Sequence, residues 1–379
     1  PTIRAGCSAP GCSHRGPMTA SEPSSLELYD VDVTIDQQEI LRNIGLSVLP
    51  GEMFALLGGA ESGKSTLLRA IAGLHRLSKG EVWIDGENIT HTAPHKRGTA
   101  LMLQAFPLWP HMSVGRNVAF GLQRQRLSRR EIRERVTREL EYVGLSHFRR
   151  HLPWQLTPSQ QQRVALARTL ISAARIDLFD EPFSAQDEQL REKLLRLFKR
   201  RQQQSALTTV ITTQDPSEAL RFADRIAVLH EGELQQVGTP AELYDTPANR
   251  FVAEYLGSVN LIDGEIEYAG DQPMFRAENG FMIPLFDRPV KRARTGSAMF
   301  RPQDLRIVSR NAEPLGDQIR FSGRIERTEF LGDSLRHWID LGGKAVCMDL
   351  PRDETRNTLH IGDQIVIGLD PAKIRILER

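Results

Sequence analysis

Residues 53–73 read MFALLGGAESGKSTLLRAIAG, and the reading of this stretch decides the fold. Met53 to Leu57 form an unbroken apolar run, the pattern of a strand buried on both faces. Two glycines follow, and from residue 66 to 73 the pattern is helical. Gly58 to Ser65 fits G-x-x-x-x-G-K-[ST] in the strand–turn–helix context that gives the pattern its meaning. Glycines let successive backbone N–H groups wrap an anion, and the helix N-terminus adds the positive end of its dipole. Lys64 offers a point charge to the β- and γ-phosphates, and the Ser65 hydroxyl suits Mg²⁺. The expected triphosphate-binding segment is therefore Gly58, Gly59, Ala60, Glu61, Ser62, Gly63, Lys64, Ser65 and Thr66. Glu61 places a negative charge in that loop; unless it points outward it weakens binding.

Such a loop needs an acidic partner at the end of a later strand. IDLFDEP, residues 176–182, supplies it: Asp180 for Mg²⁺ and Glu181 as the general base toward the attacking water. Asp177 is out of place, because a charge inside a parallel-sheet strand is costly unless paired.

Around these motifs, residues 26–57 read as strands and 105–175 as largely helical. In SRREIRERVTRELEYVGL, Ile132, Val136, Leu140 and Val143 share one helical face. Residues 176–230 alternate short apolar runs with helical stretches, the mark of βα units around a mostly parallel sheet. After about 258 short strands with Gly, Asp and Pro turns predict a small all-β, OB-like barrel. The expected fold is α/β, a P-loop nucleotide-binding domain over 24–240 with a helical subdomain at about 105–175. A helical connector over 241–258 and the barrel over 259–379 follow it.

Over 379 residues the formal net charge is +1, which makes no bulk electrostatic case for nucleic acid. The basic run RQRLSRREIRERVTREL is broken by Glu131, Glu134 and Glu139 and reads as a solvated helix face. No apolar run reaches the ~18 residues of a membrane span, so a membrane role needs another subunit. Cys7, Cys12 and Cys347 are too few for a disulfide scaffold. Cys7, Cys12 and His14 lack a fourth metal ligand. Residues 1–23 carry no secretory h-region and read as a disordered or misassigned leader, with Met18 as a plausible start.

Taken in order, these motifs resemble the ATP-binding subunit of an ATP-binding-cassette (ABC) importer, over about residues 25–379. LMLQAFPLWPHMSVGRNVAFGL looks like the Q-loop region, with Gln104 as metal-sensing glutamine. LTPSQQQRVALARTL stands at the signature position, DEPFSAQD at the Walker B end and D-loop, and TTVITTQDPSEAL at the switch. MFRPQDLRIV and EFLGDSLRHWIDLGG look like the accessory barrel of importers for ferric iron, polyamines, phosphonates or sugars. The resemblance implies ATP and Mg²⁺ as cofactors, with Ser65, Gln104 and Asp180 on the metal. It also implies a dimer with a second ATP-binding chain, each ATP lying between one P-loop and the other chain's signature. A membrane permease, a periplasmic substrate-binding protein and a peripheral position on the cytoplasmic face of the inner membrane complete the picture. Phe106, Trp109 and His111 would receive a coupling helix, or simply pack in the core. Arg301 and Arg306 of the barrel are candidates for an anion or a regulator, or for a plain dimer contact.

Four departures bear on turnover. Thr157-Pro158-Ser159 replaces the family's Ser-Gly-Gly; Thr157, Ser159 and Gln160 remain the candidates for the partner's γ-phosphate. Pro158 has no N–H to offer but suits a helix's first turn, and Ser159 adds a Cβ. Gln214 stands where the family has a switch histidine; it can hydrogen-bond but not titrate. Ile35 takes the place of the aromatic that stacks on adenine, and Gln186 that of the D-loop leucine. The expectation is an energy-coupling ATPase slowed by these changes; the alternative is a catalytically impaired nucleotide-binding scaffold or regulator of the same permease.

Overall fold

The computed structural model describes residues 23–122, 125, 127–172, 174–269, 272–278, 282–284, 295–308, 319–352 and 359–378. The expected leader, apart from Pro23, lies outside them, as do Cys7, Cys12 and His14. The chain divides into two compact units. The first takes the described residues up to Leu56 with 60–213 and 231–233; the second takes 57–59, 214–230 and everything from 234.

In the first unit, β1 (Leu26–Ile35) and β2 (Gln38–Val48) form an antiparallel hairpin. Its turn, Asp36–Gln37, has φ of 48° and 66° at the two residues, as the turns favoured between twisted strands require. β3 (Met53–Leu57) is buried at every position. β4 (Lys79–Ile84) and β5 (Glu87–Asn88) extend the hairpin into a sheet of order β2-β1-β4-β5. β6 (Thr99–Met102), β7 (Ile176–Asp180) and β8 (Thr208–Thr213) are parallel, in the order β3-β8-β7-β6. Thus the strands expected over 26–57 divide between two sheets. The burial patterns give the reason: β1 alternates, as a strand with one face toward water does, whereas β3 is covered on both faces.

Helix α1 (Lys64–Ile71) begins two residues before the apolar periodicity does, because Gly63 turns the chain at φ 96° and caps it. At this φ a side chain is rarely tolerated, and a Cβ on Gly63 would also crowd the Ile40 carbonyl at 3.3 Å. The helical region then unfolds as α2 (Val114–Ala119), α3 (Arg129–Tyr142) and α4 (Pro158–Leu170), followed by α5 (Glu188–Ser205). On α3, Val136, Leu140 and the C-capping Val143 are buried, and Ser128 and Glu131 close a capping box. Of the basic run, Arg129, Arg130, Arg133, Arg135 and Arg138 are exposed, and Arg130 pairs with Glu134 at 2.9 Å.

The second unit carries α6 (Pro216–Phe222), β9 (Arg225–His230), β10 (Glu233–Gly238), α7 (Pro240–Asp245) and α8 (Arg250–Tyr255). Beyond Asn260 its described residues form two five-stranded antiparallel sheets. Phe275, Phe300, Phe321, Ile339 and Ile367 pack in one core between their strands, the barrel-like domain that the turn-rich sequence predicts. Arg301 is not available to an anion. Its guanidinium is buried, donates to the carbonyls of Ala253, Gly257, Ser258 and Tyr244, and lies 4.0 Å from the Tyr244 ring centre. It closes the C-terminal turn of α8, where helix carbonyls need donors.

Candidate nucleotide site

Three parallel strands, β6, β7 and β8, bring partners to the adjacent acids Asp180 and Glu181. The β6–β7 register pairs Met102 with Phe179, so Gln104 and Glu181 each lie two residues beyond a matched pair. Gln104 Nε2 donates to Glu181 Oε2 at 3.0 Å. The β7–β8 register pairs Asp180 with Thr212. Thr212 Oγ1 donates to Asp180 Oδ1 at 2.9 Å and accepts from the Glu181 N–H at 3.0 Å. Ser65, on the first turn of α1, donates its hydroxyl to the same Asp180 Oδ1 at 2.8 Å. Ser65 and Asp180 are therefore in direct contact.

Lys64 is 5% exposed, and its Nζ donates to Ser62 Oγ at 3.2 Å. Burial lowers its pKa, while Glu181 and Asp180 pull the other way. A cation held partly desolvated between two acids and an anion-binding loop is set to answer added negative charge. Ala60 and Glu61 are exposed. Glu181 adopts φ 47°, an uncommon backbone conformation for a side chain of this size.

Asp180 also provides the fit for a cation. Its Oδ2 is buried with no hydrogen-bond partner, while Oδ1 takes two. An orphaned carboxylate oxygen beside a serine hydroxyl matches the one or two protein ligands that Mg²⁺ takes with phosphate. Among the described residues no larger cluster of His, Cys, Asp and Glu forms a competing metal site.

The remaining candidates are placed differently. Ile35 ends β1 on the antiparallel sheet, opposite Gln38 and partly buried. Gln214 follows β8 in the second unit, exposed, and its carbonyl accepts from Tyr255 Oη at 3.1 Å. At the signature, Thr157 caps α4: its Oγ1 accepts from Gln160 N at 3.3 Å, and Gln160 Oε1 accepts from Thr157 N at 2.9 Å. Pro158 is the first helical residue, which is where proline is tolerated. The altered segment thus keeps a well-formed helix start. Trp109 stacks against Phe120 with ring centres 4.0 Å apart and Arg168 over it, and His111 is exposed. Thr212 and Gln162 were not expected. Gln162 is fully buried and donates to the Glu181 carbonyl at 3.2 Å. Only strand register and helix packing could have revealed them.

Comparison with known proteins agrees with this geometry. The description "ABC transporter" matches residues 41–184, and "TOBE domain" matches 298–377. The spermidine/putrescine import ATP-binding protein PotA of Hahella chejuensis is 38% identical over 85% of this chain and 88% of its own length. The chain belongs to the ATP-binding subunits of ABC importers. A second such protein, from Pseudomonas fluorescens, is 35% identical over 89% of the chain and 93% of its own length. A putative 2-aminoethylphosphonate import ATP-binding protein of Salmonella typhimurium is 34% identical over 94% and 95%. Among solved structures, a dimeric ATP-binding cassette in a post-hydrolysis state with ADP and phosphate matches with TM-score 0.53 and 30% identity. It covers 57% of this chain and 98% of that one. ATP binding and transport-coupled hydrolysis are the activities of an ABC ATPase, and the C-terminal β domain is the importer type's accessory domain. Among the described residues no helix is long and apolar enough to cross a membrane.

Proposed function

We propose that this chain binds Mg-ATP and hydrolyses it to drive an import permease from the cytoplasmic face of the inner membrane. The observation that carries this reading is the contact of Ser65 and Thr212 with one oxygen of Asp180 while the other is left without a partner. Ser65 and Asp180, with Gln104 nearby, would hold Mg²⁺, whose part is to neutralise phosphate charge. Residues 58–66 cradle the phosphates and Lys64 neutralises them. Glu181, oriented by Gln104, accepts the proton of the attacking water. Thr157 Oγ1 accepts within its own cap and so keeps its proton to donate to a γ-phosphate on a second ATP-binding chain. Residues 24–240 form the ATP-binding domain, 241–258 the connector and 259–379 the accessory domain. The permease and a substrate-binding protein choose the cargo; relatives named for polyamines and for a phosphonate share this scaffold.

The test is uptake into vesicles containing the permease, with the chain and Mg-ATP on the cytoplasmic side. ATP-dependent uptake is expected; nucleotide binding without uptake or turnover would favour the impaired scaffold instead. The missing switch histidine makes a further prediction. Gln214→His is expected to raise turnover at least about tenfold, because a positioned titratable group typically contributes ~10²–10⁴ in rate. Parental turnover in that variant would mean that Gln214 is not at the reacting phosphate.

A further inference from the structure

Two departures from the family pattern, Ser159 in the signature and Gln186 in the D-loop, meet each other. Ser159 Oγ donates to Gln186 Oε1 at 2.6 Å, and Gln186 Nε2 donates back to the Ser159 carbonyl at 3.1 Å. The same Nε2 donates to Gln162 Oε1 at 2.7 Å. Gln162 Oε1 also accepts from Ala185 N at 3.1 Å, and its Nε2 donates to Ser184 Oγ and to the Glu181 carbonyl, each at 3.2 Å. Gln186 is 4% exposed and Gln162 0%, so these amides have little access to water as an alternative partner. An unbroken path of hydrogen bonds therefore runs from the N-terminal turn of α4 to the backbone of Glu181.

We propose that Ser159 and Gln186 are a matched pair of positioning residues that hold Glu181 in register with the signature turn. The proposal rests on the functional reading above, since positioning matters only if Glu181 acts on a water. Ser159 is then not a defect in a glycine turn. Its hydroxyl turns back into its own chain, where the buried glutamine needs a donor. Gln186 in turn would leave its carbonyl oxygen unmet beside a glycine at 159. Each residue makes sense only with the other, because a buried polar group left unpaired is expensive whereas removing both partners together is nearly neutral.

The experiment is a double-mutant cycle with Ser159→Gly, Gln186→Leu and the two combined, in the chain assembled with its permease. Each protein is measured for kcat, KM for ATP, thermal midpoint and hydrogen exchange at residues 181–187. Gln186→Leu is expected to lower kcat about tenfold, the scale of one orphaned buried hydrogen bond, with KM nearly unchanged. The combined variant should lose no more than Gln186→Leu alone, and exchange at 181–187, faster in each single variant, should be no faster in the combined one than in Gln186→Leu. Losses that multiply, or a Gln186→Leu variant with parental kcat and exchange, overturn the pairing. If the unaltered chain shows no turnover, the proposed function fails by itself, and the exchange data still decide whether the two residues act as one.

Discussion

Glu181→Gln is expected to lower ATP turnover by ~10²–10⁴, the usual contribution of a positioned general base, and to leave Mg-ATP affinity close to the parent's. The geometry makes this substitution clean. The Glu181 N–H is held by Thr212, its carbonyl by Gln162, and its carboxylate by Gln104. An amide of the same shape keeps the backbone anchors but cannot accept the proton of an attacking water. It also removes one of the two negative charges that act on Lys64. Steady-state kinetics with the permease, alongside nucleotide titration, separates the two effects. Undiminished turnover would move the base elsewhere; lost affinity with unchanged kcat would make Glu181 a binding residue.

Asp177→Asn is expected to stabilise the protein at alkaline pH. Asp177 is 2% exposed in the middle of the parallel sheet, and its Oδ1 has no hydrogen-bond partner. Burial pushes its pKa from 3.8 up to about 7, with Arg201 opposing and Glu139 adding to the rise. Arg201 is engaged with Glu139 at 2.5 Å, so its charge is shared. Because the folded pKa lies above the unfolded one, the acid's contribution is fully present below pH 4 and is lost as pH rises to about 7. A shift of this size corresponds to a loss of about 4 kcal/mol above that window. The asparagine variant has no such slope. Its thermal midpoint should exceed the parent's by on the order of 10 °C at pH 8, and the gap should close toward pH 4. A gap independent of pH would show that the carboxyl is not ionising in the folded sheet.

The parts of the site legible in the sequence are those where chemistry is local. Gly63, Lys64 and Ser65 must follow one another for a loop to wrap phosphate, so their order alone announces them. Asp180 and Glu181 were legible for the same reason, as acids closing an apolar strand. Thr212 was not, because its role depends on the register that sets it beside Asp180. Ser159 and Gln186, 27 residues apart, looked like two separate losses, since nothing in a linear reading shows that their side chains meet. Arg301 misled in the opposite way. An arginine in a strand-rich domain invites an anion, whereas here backbone carbonyls take up both of its terminal nitrogens. The two-sheet division of the first strands was implicit in the contrast between alternating and continuous burial, but pairing partners are not written in periodicity.

The central claim is that the turn bearing Lys64, answered by Asp180, holds a triphosphate with its magnesium. Calorimetric titration of Mg-ATP into the unaltered chain and into Lys64→Ala tests it most directly. A saturable heat in the parent that disappears in the variant is the predicted result. No heat in the parent, or equal affinity in Lys64→Ala, would contradict it.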